Sequence, residues 1–310
     1  MMSHGYDEIL RGAPRRGWGW TLLGVATLAV GVVLLAPFVL LGVFALYYAA
    51  IGELSADKLA ALGDLNDVTP ALLAYINLTL AAAIPVGWFV MRCVHGLKPR
   101  WLSSVMPRLR WRWMAVCFGL SVLALIATVA VSAVLPQQET GISGEVNAFT
   151  DTTRDFVLVV LLLTPLQAAG EEYAFRGYLT QAFGGLLRSR SAAVLVPALL
   201  FALAHGAQDP PIFFDRFAFG VVAGILTIAT GGLEAAIAMH VLNNWLAFGS
   251  ALAYSDMTSA MNPTGGTWWS LPVTMTQSLS YLALAVFAAR KLGVRSTIDQ
   301  AVLEPVGPRV

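Results

Sequence analysis

The sequence predicts an all-α polytopic membrane protein, with about eight transmembrane helices enclosing an intramembrane cavity. Mean hydropathy is +0.71, and of 310 residues 57% are apolar and only 12% charged. Soluble domains carry about a quarter charged residues. Apolar segments long enough to cross a bilayer as helices recur along the chain. Finally, the charges sort themselves between alternate loops.

Eight spans are expected, at 19–48, 70–91, 113–135, 155–180, 191–206, 216–230, 233–251 and 268–289. The first and fourth are long enough to tilt or to project past the lipid. The fifth and sixth are short and separated by AHGAQDPPIFFDR. Short or interrupted elements are tolerated where protein or a cavity, rather than lipid, surrounds them.

Arg11, Arg15 and Arg16 precede the first span, and Arg92, Lys98, Arg100, Arg108, Arg110 and Arg112 form a basic loop after the second. Arg188 and Arg190 follow the fourth span; Arg290, Lys291 and Arg295 follow the eighth. All fall on one side of an eight-span chain. The other side receives Glu53, Asp57, Asp64, Asp67, Glu139, Glu145, Asp151 and Asp155. Lys/Arg enrichment marks the cytoplasmic side, so both termini are expected there.

The first apolar run outlasts a signal-peptide core and lacks a clear small-residue cleavage site, so it reads as a retained anchor. Cys93 and Cys117 read as small packing residues rather than a disulfide framework. Trp101, Trp111 and Trp113 and the bases interleaved with them in the basic loop read as headgroup anchors, and no nucleic-acid partner is expected. The Gly220–Gly224 spacing suggests close helix packing. The organisation expected is a tail at 1–18, an N-terminal membrane region at 19–154, a core at 155–251, a last loop and helix at 252–289 and a tail at 290–310. The tail contains Pro305 and Pro308 but no recognisable motif.

Three stretches carry ionisable or amide groups where lipid would penalise them, which marks functional sites by default. The first is Glu171-Glu172-Tyr173-Ala174-Phe175-Arg176. Neighbouring helical residues point about 100° apart, so the two carboxylates face different directions. Glu172 and Arg176 are four apart and can pair, which frees Glu171 for a hydrated cavity. Pro165, just upstream, can kink the helix there. The second stretch ends Phe201-Ala202-Leu203-Ala204-His205. The third is His240-Val241-Leu242-Asn243-Asn244, in which His240 and Asn244 share a face.

Of four histidines in the chain, His205 and His240 are the two inside predicted spans. Together these groups can perform hydrolysis without a nucleophilic serine or cysteine. Glu171 can deprotonate a water, the histidines can hold that water, an oxyanion or a metal, and Asn244 can donate to the developing negative oxygen. G-x-S-x-G and HExxH are both absent.

At these residues the chain resembles the CPBP intramembrane proteases, also called the CAAX protease and bacteriocin-processing, or Abi, family, which includes Rce1. Its pattern is EExxxR, FxxxH and HxxxN, matched here by Glu171, Glu172 and Arg176, by Phe201 and His205, and by His240 and Asn244. The resemblance spans roughly 155–250. It implies an intramembrane endopeptidase in which Glu171 activates water, aided by His205, His240 and Asn244, with Glu172, Arg176 and Phe201 supporting. The implied partner is a membrane-associated protein or peptide, lipidated substrates included, and the implied setting a prokaryotic plasma membrane. Zinc stays open: Glu171, His205 and His240 could supply three ligands, but a tightly held ligand is a poor free base, and metal-free water activation fits the motif as well. A non-proteolytic scaffold or immunity factor, or a transporter, are the competing readings.

One geometric condition must hold. Counted at about 1.5 Å per residue, His205 lies near the far end of its span and His240 only a short way into its own. Tilt, a displaced start or a broken helix has to bring them together.

Overall fold

A computed structural model describes residues 3–133, 145–206 and 209–299. The expected end of span three at 135, Glu139 and the tail with Pro305 and Pro308 lie outside the described residues. The architecture is all-α apart from a short antiparallel pair, β1 (Ser3–Gly5) with β2 (Thr297–Asp299). That pairing joins the two ends of the chain, and nothing in the amino-terminal pattern announced it.

The principal helices are α1 (Trp18–Ala50), α2 (Pro70–His95), α3 (Trp111–Ser132) and α4 (Asp151–Leu162). α5 runs through Thr164–Glu172, a π-helical stretch Tyr173–Leu179, and Thr180–Leu187. α6 (Arg190–Ala204), α7 (Pro210–Thr230), α8 (Glu234–Tyr254) and α9 (Ser270–Lys291) complete the set. Among the described residues six helical runs are long and apolar enough to cross a membrane, α4 and α5 counting as one. α6 is shorter, and α8 carries Glu234, His240, Asn243 and Asn244. Both are helical where spans five and seven were expected.

Local chemistry explains the boundaries. Thr69 caps α2 through Leu72 N–H, with Pro70 in its first turn. The α4–α5 break falls at Leu163, immediately before the pair Thr164-Pro165. Pro165 has no N–H for the carbonyl four residues earlier, so the helix restarts there rather than continuing. α7 begins earlier than expected. Asp209 precedes Pro210 and Pro211 in the first turn, so PPIFFDR is helix, not a connecting loop.

α6 packs on α7, α7 on α9, α9 on α3, and both α3 and α5 pack on α8. A Cβ at Gly220 would lie 2.9 Å from Ala198 Cβ and one at Gly224 3.1 Å from Val194 Cγ1. The Gly220–Gly224 spacing therefore serves the α6–α7 contact within the chain. At Gly170 a Cβ would run into the Leu80 backbone, so only glycine lets α5 lie this close to α2.

The basic loop after α2 differs most from expectation. Trp101 and Trp113 are buried, and only Trp111 is exposed. Arg110 is not a headgroup contact. Its Nε donates to Glu234 Oε1 at 2.8 Å and its Nη2 to Oε2 at 2.6 Å. The Arg110 backbone N–H also donates to Oε1, at 2.8 Å. Loop backbone joins the same place, since Ser103 O accepts from Leu233 N–H at 3.0 Å. The loop thus folds under the start of α8, where Leu233, Glu234, Ala235 and Ala236 are wholly buried.

α8 begins already inside the protein, so His240 is buried after fewer than two turns.

Glu234→Ala would leave the Arg110 guanidinium in the protein without its carboxylate. The expected loss is about 3–5 kcal/mol, read as a lower unfolding midpoint of the purified protein in detergent.

Candidate active site

The site is built around one imidazole held between two carboxylates. His240 Nδ1 lies 2.8 Å from Glu172 Oε1, and His240 Nε2 lies 3.4 Å from Glu171 Oε2. Glu172 Oε1 also accepts from Arg176 Nη1 at 2.8 Å. An ionised carboxylate has no proton to give, so Nδ1 carries the hydrogen in its bond to Glu172. That leaves Nε2 facing Glu171. The 3.4 Å separation is an ion-pair contact when the ring is protonated.

The expectation of two divergent glutamates needs refinement. They do diverge from the helix, but they arrive at opposite edges of the same ring. Their surroundings differ: the Glu172 side chain is 0% exposed and that of Glu171 11%, on the cavity side. Glu172 is therefore Arg176's partner, as expected, and also the residue that orients His240.

Phe201 holds the other half together. Its ring packs edge-on to His205, His240 and Phe175, and stacks on Phe219. The Arg176 guanidinium lies 4.3 Å above its centroid. A flat cation over an aromatic face in a desolvated position is a favourable arrangement. The Phe201 carbonyl accepts from His205 Nδ1 at 2.7 Å. Both groups that the F-x-x-x-H motif provides thus meet one turn apart, with His205 just beyond the last turn of α6. Nδ1 donates to a carbonyl, so Nε2 of neutral His205 is an acceptor.

Glu171, His205, His240 and Asn244 all line one cavity of about 560 Å³. Leu73, Ile76, Leu80, Phe219 and Phe248 add apolar wall. The described structure thus brings the four predicted groups to a common space. Phe201 is in the wall too, whereas Glu172 and Arg176 lie behind it.

Three contributors were missed. Gln167 precedes Glu171 by four residues, and its Oε1 accepts from Asn244 Nδ2 at 2.9 Å. That bond uses one of the two amide hydrogens of Asn244. The i, i+4 spacing from Glu171 was the available signal. Phe219 follows from the aromatic cluster, which only the fold assembles. Arg216 also lines the cavity. It makes no direct ion pair among the described residues, with Asp215 and Glu171 acting on it from farther away. Asp209-Pro210 was a legible helix start and would have put Arg216 in the second turn of α7.

The contacts commit Nδ1 of both histidines to oxygen acceptors and leave each Nε2 toward the cavity side. Among the described residues no three His, Cys, Asp or Glu side chains are grouped to hold a metal. The open Glu171–His205–His240 alternative is thus not grouped as three ligands among the described residues, and no step below passes through a metal.

The fold and the site define an integral membrane protein with a cavity-lining Glu–His–Asn constellation. Residues 153–246 match the family model for type II CAAX prenyl endopeptidases, Rce1-like. That segment contains all seven motif residues, and the match supports assigning the chain to the CPBP/Rce1-like family. A relative in Bacillus subtilis (strain 168), the uncharacterised protein YyaK, is 26% identical over 223 residues, 67% of this chain and 73% of that protein. No solved structure matches significantly.

Arg176→Ala would strand Glu172 without its cation. The expected cost is about 3–5 kcal/mol of stability. Arg176→Lys keeps the charge but not the flat stacking on Phe201, and should cost less. Thermal unfolding of both variants in detergent measures the difference.

Proposed function

We propose that the protein is an intramembrane endopeptidase that hydrolyses a peptide bond of a membrane-associated protein or peptide with water activated by Glu171. The observation that carries this reading is the convergence of Glu171, His205, His240 and Asn244 on one cavity. In this reading eight helices span the membrane, α6 and α8 among them as short, protein-surrounded spans, and they enclose the cavity. Both termini face the cytoplasm of a prokaryotic cell.

Water enters between Glu171 and His205 Nε2, which accepts one of its hydrogens. Glu171 takes the other proton as the oxygen attacks the carbonyl carbon. The C=O becomes a tetrahedral oxyanion, which accepts hydrogen bonds from the free Nδ2 hydrogen of Asn244 and from Nε2–H of protonated His240, both hydrogens staying on their donors. As the C–N bond breaks, Glu171 returns its proton to the leaving nitrogen. One water is consumed, giving one carboxylic acid and one amine. Glu172 holds Nδ1–H of His240 throughout, as the carboxylate behind a catalytic histidine commonly does.

The apolar wall suits a substrate with a hydrophobic portion, a lipid-modified one included. Arg216 supplies the cation that would meet a free carboxylate of that substrate. Guanidinium groups favour carboxylates because two N–H bonds can form in parallel.

Glu171→Gln keeps shape and hydrogen bonding but cannot take a proton. It should lower cleavage by about 10²–10⁴-fold with an unchanged unfolding midpoint; turnover equal to wild type would remove Glu171 as the base. The assay compares new protein termini in membranes containing wild type or the variant, then the identified peptide with purified enzyme.

Arg216→Gln should raise KM for the free-acid form of that peptide about tenfold or more, with little effect on its C-terminal amide. Equal effects on both forms would dismiss the carboxylate assignment.

A further inference from the structure

A second cavity, away from the Glu–His–Asn site, is basic. It measures about 380 Å³ and is lined by Arg11, Arg16 and Arg188, with no acidic residue in its wall. Gly17, Trp18 and His95 complete the part used here. Three chain segments meet at it: the approach to α1, the last turn of α2 and the end of α5.

The charges are unequally committed. Arg11 pairs with Glu8 at 2.7 Å, and its Nη2 also donates to Gly184 O at 3.0 Å. Among the described residues Arg16 donates to the Arg11 carbonyl alone, at 3.2 Å. Among the described residues neither Arg16 nor Arg188 has a carboxylate partner, and both are exposed. Two uncompensated guanidinium groups therefore face one concave space.

Backbone adds to the same polarity. α1 starts after Gly17, whose φ of 98° and lack of side chain leave the helix without a side-chain cap. The first N–H groups of a helix have no intrahelical acceptor and favour an anion nearby. Trp18 and Trp20 are exposed beside it, and the Arg15 guanidinium lies 5.5 Å from the Trp20 ring centroid. Exposed tryptophans at the end of a long apolar helix are typical of the headgroup level of a bilayer.

We propose that this cavity binds a phosphate-bearing anion, and that its source is the headgroup of an anionic phospholipid. Arg16 and Arg188 hold the phosphate oxygens, and the open first turn of α1 contributes backbone donors. The position at the membrane edge favours a lipid over a soluble ion, because the lipid arrives already concentrated in the plane of the cavity. The site is independent of the hydrolytic reading and stands whether or not that reading holds.

The test uses the full-length protein in nanodiscs of mixed phosphatidylglycerol and phosphatidylcholine. After transfer to mild detergent, the retained lipids are quantified by mass spectrometry. Wild type should retain phosphatidylglycerol in preference to phosphatidylcholine. Arg16→Gln and Arg188→Gln should each reduce that preference about five-fold, the factor expected for one basic residue at an anionic surface. Arg16→Lys should restore most of it, and Arg290→Gln, outside the cavity, should leave it unchanged. Both cavity arginines are exposed, and unfolding midpoints confirm that the glutamine variants fold. A parallel arm adds inorganic phosphate to protein in pure phosphatidylcholine. Binding there with the same arginine dependence, without lipid preference, would keep the phosphate chemistry and overturn the lipid source. Equal retention of both lipids, or a preference indifferent to Arg16 and Arg188, with no phosphate binding, would overturn the site.

Discussion

Glu172 Oε1 accepts from Arg176 and His240, each at 2.8 Å, in a position with no exposure. Burying a carboxylate without partners would be prohibitive, and even a paired one gains little net stability over an apolar replacement. The return is orientation. Glu172 sets which nitrogen of His240 carries the hydrogen, and so what the ring presents to Glu171 and the cavity. Arg176 supplies the countercharge beside Glu172, and Phe201 packs against the Arg176 guanidinium. Remove any one and the others lose either their charge balance or their packing.

The backbone around this centre is irregular where it matters. The π-helical stretch Tyr173–Leu179 follows Glu172 directly, and such stretches often mark functional sites. It is secured from outside α5. Tyr173 OH bonds Ser103 Oγ at 2.6 Å, and Tyr178 OH bonds His95 Nε2 at 3.0 Å. Gln181, one turn further, donates to Trp101 O at 3.0 Å. The loop after α2 is therefore a structural support for the segment that carries Glu171 and Glu172. Its basic residues and tryptophans serve two purposes, since Arg110 and Trp101 face inward while Trp111 faces outward.

Helix positions were legible because apolar length is a local property, and among the described residues helix covers most of each expected span. The motif residues were legible because ionisable groups are rare in such helices, so Glu171, His205 and His240 stood out individually. What escaped depends on contacts distant in the chain. The bond from His240 to Glu172 crosses 68 positions, and that from Arg110 to Glu234 crosses 124. Nothing near Arg110 distinguishes it from Arg108 or Arg112, which is why it passed as a headgroup contact. The pairing of β1 with β2 joins opposite ends of the chain for the same reason. Arg216 is different. Asp209-Pro210 marks its helix, but in the sequence AHGAQDPPIFFDR as a whole reads as the break between two spans.

The claim that most of this account rests on is the protonation of His240. Nitrogen-15 NMR of the protein labelled at histidine, with His240→Gln used to assign the signal, reports each ring nitrogen separately. The account predicts that His240 Nδ1 bears a proton in the wild type and that Glu172→Gln changes its signal strongly. An unprotonated Nδ1 in the wild type, or a His240 signal indifferent to Glu172, would contradict it.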